Sequence, residues 1–462
     1  MERFTKSYNK YKQTLGLILP TVPLLTYEAF SHFTWGNQPN AWDFRSHMTI
    51  KSIKYFMQLG SEYTVEQVQK ITTRESNILH PNQWIINQPV PLSGHTDQVK
   101  DAVNKACTAL GEGLDKIDAA EVAAVDGEWT AYRTMTADTS DWSAEKKFAA
   151  MESELESDAV VLYLHGGAYY LCSPVTHRDL VSALARQFKG KCFSLKYRLA
   201  PQASFPSQIT DALLAYMWLI DPPAGALHKP VPPEKIVIAG DSAGGGLTAG
   251  VLLTILQSGL PRPAGVITLS PWVDLSHSFE SSITNAVTDY LPELGAKHRH
   301  KASKAWAADG SQYHFYAPNE AVIHPLVSPV TAKSWEGAPP MLVIIGEGER
   351  LRDEGLFFAQ QAAQSGVDVN VQLYEAMPHV FQLLRGHPSA RRSFMEMGKF
   401  VTRVTGGTSE ESGARHWIDG RGEIGPLADE QYRIGFTRDE VIERIRNSVE
   451  KWGSQEMLEQ KI

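Results

Sequence analysis

Short apolar segments rich in β-branched residues recur through the middle of the chain and predict buried strands. Five of them are Val160–Leu164, Ile236–Ala239, Val266–Leu269, Met341–Ile345 and Val369–Tyr374. The segment 246–257 follows the second of these strands, is rich in Leu and Ala, and predicts a helix. A strand that leads directly into a helix is typical of an α/β protein.

Outside this region the apolar positions follow a helical period. One amphipathic helix is predicted around Ile50–Leu59, a second around Val65–Ile71, and a third at Asp439–Trp452. The third helix follows a Gly- and Ser-rich linker at 405–413, and we expect it to dock on the core rather than to bind a partner. The acidic stretch Ala137–Asp158 is predicted to be an exposed connection between strands.

The N-terminal residues allow more than one interpretation. An uncharged, apolar-rich stretch, Gln13–Tyr27, follows basic residues at positions 3, 6, 10 and 12. A membrane-spanning helix needs about 18–20 residues, so this stretch is too short, and Pro20 and Pro23 interrupt it. A secretory signal is disfavoured because no small-residue cleavage site precedes Glu28. We expect the stretch to pack over the functional site, and the alternative is a peripheral membrane contact.

Composition and charge narrow the class of protein. The 462 residues suffice for one large α/β core and about one further module. A hydrophobic content of 43% with 21% charged residues is ordinary for a soluble globular protein. A net charge of −8, without a basic stripe, gives no support to nucleic-acid binding. The three cysteines form no disulfide framework, which favours a cytoplasmic location.

The most informative motif follows the strand predicted at Ile236–Ala239. Gly240-Asp241-Ser242-Ala243-Gly244 is a G-x-S-x-G sequence at a strand-to-helix turn, which is the setting of a nucleophile elbow. Its glycines suit a sharp turn whose neighbouring backbones leave no room for a Cβ atom. The Ser242 hydroxyl would then stand above the sheet, within reach of a base. Asp241 is interpreted as structural, and a simple Gly-rich turn is the alternative for the whole motif.

A second motif follows the strand Val160–Leu164. The loop His165-Gly166-Gly167-Ala168 offers backbone N–H groups that, with the N–H of Ala243, predict an oxyanion hole. Gly167, Ala168 and Ala243 are the expected donors. Gly166 is counted in the hole as the residue that shapes the loop, and His165 is expected to orient it.

With these motifs the chain resembles the hormone-sensitive-lipase-like family of α/β-hydrolases. The resemblance runs from about residue 158 to 400 on the motifs His165–Tyr169, Tyr197–Pro201, Phe205–Pro206, Asp211, Gly240–Gly245, Leu269–Trp272 and Leu351–Gly355. It implies an α/β-hydrolase fold, with a mostly parallel central sheet flanked by helices and covered by a helical cap. Ala168 replaces the third glycine usual in the oxyanion loop. Since a backbone N–H survives that change, we expect the hole to function with a tighter pocket.

The general base is expected on a loop beyond a late strand, downstream of the nucleophile. His379 follows the strand Val369–Tyr374 and matches the base position of the resembling family. Four other downstream histidines are interpreted as surface or turn residues: His298, His300, His324 and His387.

The acid of a triad is less clear than the base. The resemblance aligns Leu351–Asp353 so that Glu349 stands where an aspartate normally orients the histidine. A glutamate can accept the imidazole N–H equally well from a loop that sits slightly farther back. Asp353 is the alternative acid, although the family pattern places it in the following helix with a capping role. Glu347 is a third candidate.

The resemblance also divides the chain into an N-terminal segment with a helical cap (1–120), an α/β-hydrolase catalytic domain (121–404) and a linker with a C-terminal extension (405–462). A second cap component is expected at 275–324. The implied function is a serine carboxylester hydrolase that cleaves short-acyl or acetyl esters of a lipophilic alcohol through an acyl-enzyme. Its partner is a small-molecule ester, and no metal or other cofactor is required.

Two other function classes remain open at this point. The first is an amidase or an acyltransferase that uses the same residues. The second is a non-catalytic ligand-binding protein, a class expected to lose the nucleophile or the base, whereas Ser242 and His379 are both present. The residues do not indicate an oligomeric state.

Overall fold

A computed structural model describes residues 22–34, 36, 38–74, 82–92, 94–111, 117, 121–292, 300–307, 312–406 and 413–459. At its centre is a sheet of ten strands. The strands are β1 (Gln83–Val90), β2 (Val125–Tyr132), β3 (Val160–Leu164), β4 (Lys191–Lys196), β5 (Ile236–Asp241), β6 (Gly265–Leu269), β7 (Met341–Gly346), β8 (Val369–Tyr374), β9 (Arg415–Ile418) and β10 (Ile424–Pro426). Their order across the sheet is β1-β2-β4-β3-β5-β6-β7-β8-β9-β10.

The sheet is mostly parallel, as predicted. All neighbours from β4 through β3 and on to β9 pair in parallel, whereas β1–β2, β2–β4 and β9–β10 pair antiparallel. Every residue of the central strands β3, β5, β6 and β7 is buried. Both faces of these strands are covered, which explains their continuous apolar sequences.

Helices form a layer on each face of the sheet. The described helices are α1 (Val22–Thr34), α2 (Phe44–Leu59), α3 (Val65–Thr72), α4 (Thr96–Leu110), α5 (Ala144–Ser153), α6 (Pro174–Phe188), α7 (Ser207–Ile220), α8 (Ala243–Ser258), α9 (Ser281–Thr284), α10 (Arg352–Gln364), α11 (Pro388–Gly406), α12 (Asp429–Tyr432) and α13 (Arg438–Glu459). Apolar side chains of α4, α7, α8 and α10 join one hydrophobic cluster, and those of α6 and α11 join the other.

The N-terminal helices lie at the carboxyl end of the sheet, where the loops after the parallel strands meet. Trp42, just before α2, donates its indole N–H to Ala376 O at 2.7 Å, in the loop after β8. Gln69 on α3 donates its side-chain N–H to Ala200 O at 2.9 Å. Ile53 and Met57 on α2 line a cavity at this end of the sheet.

The sheet extends beyond the predicted catalytic domain, 121–404, at both of its ends. β1 and α4 fall within the segment 1–120, and β9 and β10 fall within the extension 405–462, although all four belong to the sheet or its helical layers. β1 alternates buried and less buried residues, as an outer strand does. Because polar residues interrupt its sequence, β1 has no continuous apolar run that would have predicted it. β9 pairs with β8 and so satisfies backbone groups that β8 would otherwise leave open.

Two further expectations concern the chain connections. The stretch Ala137–Asp158 is not a simple exposed connection, because it contains α5, whose Phe148 and Met151 are buried. The C-terminal helix docks as predicted: Val441 and Ile445 on α13 are fully buried, and Trp452 stacks on Tyr313 with ring centroids 3.8 Å apart. Within the linker, residues 407–412 lie outside the described residues.

The apolar N-terminal stretch is described only from Val22 onward, where α1 begins. Residues 13–21 of that stretch lie outside the described ranges. Within those ranges, every helix is too short or too polar to cross a membrane.

Candidate active site

Ser242 lies on the turn between β5 and α8. Its backbone is left-handed, with φ 54° and ψ −122°, a conformation that costs a non-glycine residue about 1–3 kcal/mol. The surrounding backbone holds the turn in place. Ser242 N donates to Leu269 O at 2.8 Å, and Ser242 O accepts from Gly246 N and Trp272 N at 3.0 and 2.9 Å.

Close backbone contacts explain the glycines of these loops. A Cβ atom on Gly244 would lie 1.9 Å from Leu164 O, because the first turn of α8 presses on the end of β3. Gly167 has φ 113°, and a Cβ atom there would lie 2.4 Å from Leu171 O. Neither contact can relax without a backbone shift, so both positions require glycine.

Asp241 holds the oxyanion loop against the elbow. Its Oδ1 accepts from Gly166 N at 3.0 Å and from the Tyr163 hydroxyl at 2.7 Å, while Oδ2 lies 3.3 Å from His177 Nε2. Burial acts to raise the pKa of Asp241, but the charge and hydrogen bond of His177, with the Tyr163 hydroxyl, hold it below its usual value. Asp241 is therefore structural, as interpreted from the sequence.

This bond also limits the role of Gly166. Its N–H is donated to Asp241 rather than to the cavity, which agrees with the expectation that Gly166 shapes the loop while Gly167, Ala168 and Ala243 are the donors. Gly167 and Ala168 line the same cavity as Ser242. Ala243 begins α8 directly after Ser242.

His165 is packed as a structural group. Its ring stacks on Tyr197 with centroids 4.2 Å apart, and its Nδ1–H donates a hydrogen bond to Gly166 O at 2.7 Å. Burial lowers the pKa of His165 to about 3, so the ring is neutral near pH 7. These contacts agree with a loop-orienting residue.

His379 lines the cavity, and Glu349 lies beside it. His379 Nδ1 lies 3.7 Å from Glu349 Oε2, and both side chains are buried. Burial lowers the pKa of His379 below its usual value, opposed by the charges of Asp289 and Asp241. Burial raises the pKa of Glu349 well above its usual range. The buried imidazole is therefore neutral near pH 7, which is the form a general base needs.

The other two acid candidates make hydrogen bonds elsewhere. Asp353 lies in the first turn of α10, where its Oδ2 accepts from Ser281 N at 2.9 Å and its Oδ1 accepts from Arg352 Nε at 2.8 Å. Glu347 accepts from Ala376 N at 2.8 Å. The geometry thus favours Glu349 as the partner of His379.

One cavity of about 440 Å³ brings these elements together. Ser242, His379, Gly167 and Ala168 all line it. Aromatic and apolar side chains from the helical cap, the loops after β3 and β6 and the segment 275–324 form much of the rest of its wall: Ile53, Met57, Tyr170, Trp272, Tyr290, Trp306, Phe315 and Tyr316. A cavity of this size and lining suits a small, largely apolar ligand.

Comparison with known proteins agrees with this geometry. A family described as having the alpha/beta hydrolase fold matches residues 161–383. An acetyl-hydrolase from Streptomyces hygroscopicus is 33% identical over 247 residues, 53% of this chain and 76% of that protein. An ethyl acetate hydrolase from Pseudomonas putida is 31% identical over 226 residues, 48% of this chain and 66% of that protein. The crystal structure of a hormone-sensitive-lipase homologue from a metagenome library matches 77% of this chain and 98% of its own, with 26% identity and a TM-score of 0.52.

The chain belongs to the hormone-sensitive-lipase-like family of α/β-hydrolases. The resemblance drawn from its motifs and the predicted fold are both confirmed. As a member of this family, the α/β-hydrolase is a carboxylic ester hydrolase.

Three of the four histidines that were expected to be surface or turn residues do not lie on the surface of this hydrolase. His300, His324 and His387 are buried. His324 Nε2 lies 3.0 Å from Cys107 O, and His387 Nε2 lies 2.8 Å from Ala41 O, so each ring anchors a loop to a distant backbone carbonyl. His300 Nε2 lies 3.0 Å from the Tyr170 hydroxyl on the cavity wall. His298 lies outside the described residues.

Several residues near the cavity of the α/β-hydrolase could not be anticipated from the sequence. His277 and His314 line it, and burial lowers the pKa of these rings to about 3 and about 4, so both are neutral polar groups in an apolar wall. Asp289 is fully buried and accepts a hydrogen bond from the backbone N–H of His379. An isolated Asp beside Tyr290 and Leu291 has no pattern that distinguishes it from a turn residue.

Proposed function

We propose that the α/β-hydrolase is a serine carboxylester hydrolase that cleaves acetyl or other short-acyl esters of a lipophilic alcohol through an acyl-enzyme. One observation carries the proposal: Ser242, the His379–Glu349 pair and the Gly167–Ala168 backbone meet at one apolar cavity. An acyl-transfer site requires a nucleophile, an oriented base and amide donors, and these residues are candidates for those roles.

In the proposed reaction His379 takes the proton of the Ser242 hydroxyl as its oxygen attacks the ester carbonyl. The N–H groups of Gly167, Ala168 and Ala243 stabilise the oxyanion that develops. The imidazolium formed on His379 is stabilised by Glu349 and then protonates the leaving alcohol. A water molecule, deprotonated by His379, attacks the acyl-enzyme and releases the acid together with free Ser242.

The size and lining of the cavity support a small acyl group on an apolar alcohol. About 440 Å³ lies near the lower end of the range for small-molecule pockets, which leaves little room for a long chain. Two relatives are named for the hydrolysis of acetyl esters, in agreement with a short acyl group. The aromatic wall suits a lipophilic alcohol by burial of apolar surface.

A series of p-nitrophenyl esters from acetate to laurate tests the proposal. We expect kcat/KM to be highest for acetate or butyrate and at least ~10-fold lower for laurate, because a long chain exceeds the cavity. Matched acetanilides and an added alcohol acceptor measure the amidase and acyltransferase alternatives in the same assay. A rate that rises steadily with chain length, or amide cleavage that outpaces ester cleavage, would contradict the assignment.

The identity of the acid is tested by two conservative substitutions. Glu349→Gln should lower kcat by about 10²- to 10⁴-fold, because the amide cannot stabilise the imidazolium. Asp353→Asn should lower kcat by less than ~10-fold, since Asp353 bonds to Ser281 and Arg352. Circular dichroism and thermal melts check that both variants are folded. A larger fall for Asp353→Asn would transfer the role to Asp353.

We also propose that the protein is cytoplasmic and that its N-terminus contacts a membrane surface peripherally. Phe33 on α1 is 74% exposed and stacks on Phe44 of α2, itself 42% exposed, with centroids 5.2 Å apart. Basic residues at positions 3, 6, 10 and 12, outside the described ranges, would favour an anionic lipid surface. The double variant Phe33→Ser/Phe44→Ser should therefore sediment less with vesicles that contain phosphatidylserine. Equal sedimentation of wild type and variant would contradict this contact.

A further inference from the structure

The segment 285–289, which follows α9, contacts the loop that carries the proposed acid. The Asn285 side-chain N–H group donates to Glu347 O at 3.0 Å and to Glu349 O at 2.8 Å. The Thr288 hydroxyl donates to Gly348 O at 2.7 Å. Three successive carbonyls of the acid loop are thus held by side chains of one short segment.

Asp289, at the end of this segment, extends the contact to the loop that carries the proposed base. Its carboxylate is fully buried; Oδ2 accepts from Arg350 N at 2.7 Å, and Oδ1 accepts from His379 N at 3.2 Å. Oδ1 also accepts from Tyr290 N at 2.7 Å. Burial raises the pKa of Asp289 above its usual value, while the charge of His379 and the bonds donated to the carboxylate oppose that rise and favour the ionised form. One side chain therefore joins the backbone of the acid loop to that of the base loop.

The same segment is attached to the N-terminal cap. Lys54 on α2 donates from Nζ to Ala286 O at 2.6 Å and to Asp289 O at 3.0 Å. One turn from Lys54 along α2, Met57 lines the catalytic cavity, as does the neighbouring Ile53. The cap and the two catalytic loops are thus connected through residues 285–289.

We propose that the segment 285–289 positions Glu349 and His379 relative to each other, with Asp289 as the positioning residue that joins their two loops. The inference rests on the proposed function of these two residues. The acid and the base lie on separate loops, after β7 and β8, so their 3.7 Å separation depends on how those loops are held. A displacement of about 1 Å in such a pair can cost a reaction roughly 10²-fold.

Asp289 has an electrostatic effect on His379 as well. Among the described residues, the charged and titratable groups around the imidazole include Glu349, Asp241, Asp289, His277 and Tyr290. Burial lowers the pKa of His379, and Asp289 is the first of the two carboxylates that oppose this effect. Removing the Asp289 charge should therefore lower the pKa of His379 further. Because neutral His379 is the base, the acidic limb of kcat/KM should then move to lower pH.

The experiment compares pH profiles of p-nitrophenyl acetate hydrolysis for four variants. Asp289→Asn should lower kcat by about 10- to 100-fold with little change in KM, and should move the acidic limb lower by at least ~0.5 pH unit. Asn285→Ala and Thr288→Val should lower kcat by about 3- to 10-fold and leave the limb in place, because they remove positioning bonds without removing a charge. Asp274→Asn is the matched control: Asp274 is a buried aspartate that bonds to Ser276 and Ser278, so its replacement should reduce thermal stability without moving the limb.

Each outcome decides between the proposals. Without ester turnover in the wild type, the proposed function and this inference fall together. Suppose that the wild type is active and that the Asp289→Asn variant folds. If this variant keeps the wild-type kcat and pH profile, the inference alone is wrong. An equal shift of the limb in Asp274→Asn would show a general loss of packing and would also overturn it. If Asp289→Asn does not fold, Asn285→Ala and Thr288→Val decide, and wild-type kcat in both would refute the positioning role.

Discussion

Replacing Ser242 with alanine should lower kcat for p-nitrophenyl acetate by about 10⁴- to 10⁶-fold while the protein stays folded. Alanine removes the only atom that can form the acyl-enzyme and leaves the backbone bonds of the turn to Leu269, Gly246 and Trp272 intact. Residual hydrolysis would come from the oxyanion donors and from substrate binding. His379→Ala should cause a loss of similar size, and the double variant should lose little more, since the two groups act as a unit.

The loss is measured by initial rates, with protein concentration corrected for the folded fraction from a thermal melt. Ser258→Ala on the same helix is the matched control, because the Ser258 hydroxyl only donates to Thr254 O and Ile255 O within α8. Mass spectrometry of acid-quenched wild type should detect an acetyl group on Ser242 that is absent from the variant. Near-normal turnover by Ser242→Ala would refute the proposed nucleophile and the acyl-enzyme with it.

The central strands could be predicted because burial leaves its mark on the composition of each strand's own sequence. β3, β5, β6 and β7 are covered on both faces and read as largely apolar runs, whereas β8 alternates Asn370 and Gln372 with apolar residues. The structure confirms all five predicted strands within one or two residues. The glycines of the elbow were equally readable, since a close backbone approach excludes a side chain. Both signals depend on only a few neighbouring residues.

The outer strands carry a weaker signal. β1 has Gln83 and Asn87 on its less covered face, and even its covered face includes a polar residue, the buried Gln88. β9 and β10 have four and three residues, too few to establish an alternation. Their place in the sheet is set by pairing with distant strands, and that is why the predicted domain boundaries cut across the sheet.

The supporting residues of the candidate site depend on long-range contacts and could not be predicted from the sequence. Asp289 bonds to Arg350 N and His379 N, which are 61 and 90 positions away along the chain. His324 has a proline next to it, as a turn residue often does, yet the fold brings Cys107 O within 3.0 Å of its ring. A buried polar side chain needs such a partner, and the partner is known only once the chain has folded.

Gly244→Ala should destabilise the protein by about 3 kcal/mol or more and should also inactivate the molecules that still fold. A Cβ atom at this position would lie 1.9 Å from Leu164 O and 2.7 Å from His165 O, and both atoms belong to the backbone. A clash with backbone relaxes less easily than the ordinary overpacking of side chains, which costs about 1–3 kcal/mol. Relief requires α8 to move away from β3, which would separate the Ser242 turn from the oxyanion loop.

Urea unfolding gives the change in free energy, and kcat normalised to the folded fraction gives the change in activity. Gly435→Ala is the matched control, since a Cβ atom there would have no neighbour within 4 Å, and both quantities should stay near wild type. The two effects of Gly244→Ala should appear together, because one contact fixes both the stability of the turn and the distance between nucleophile and oxyanion donors. A Gly244→Ala protein with the stability and kcat of the wild type would mean that α8 does not press on β3, and the proposed arrangement of the elbow against the oxyanion loop would then be wrong.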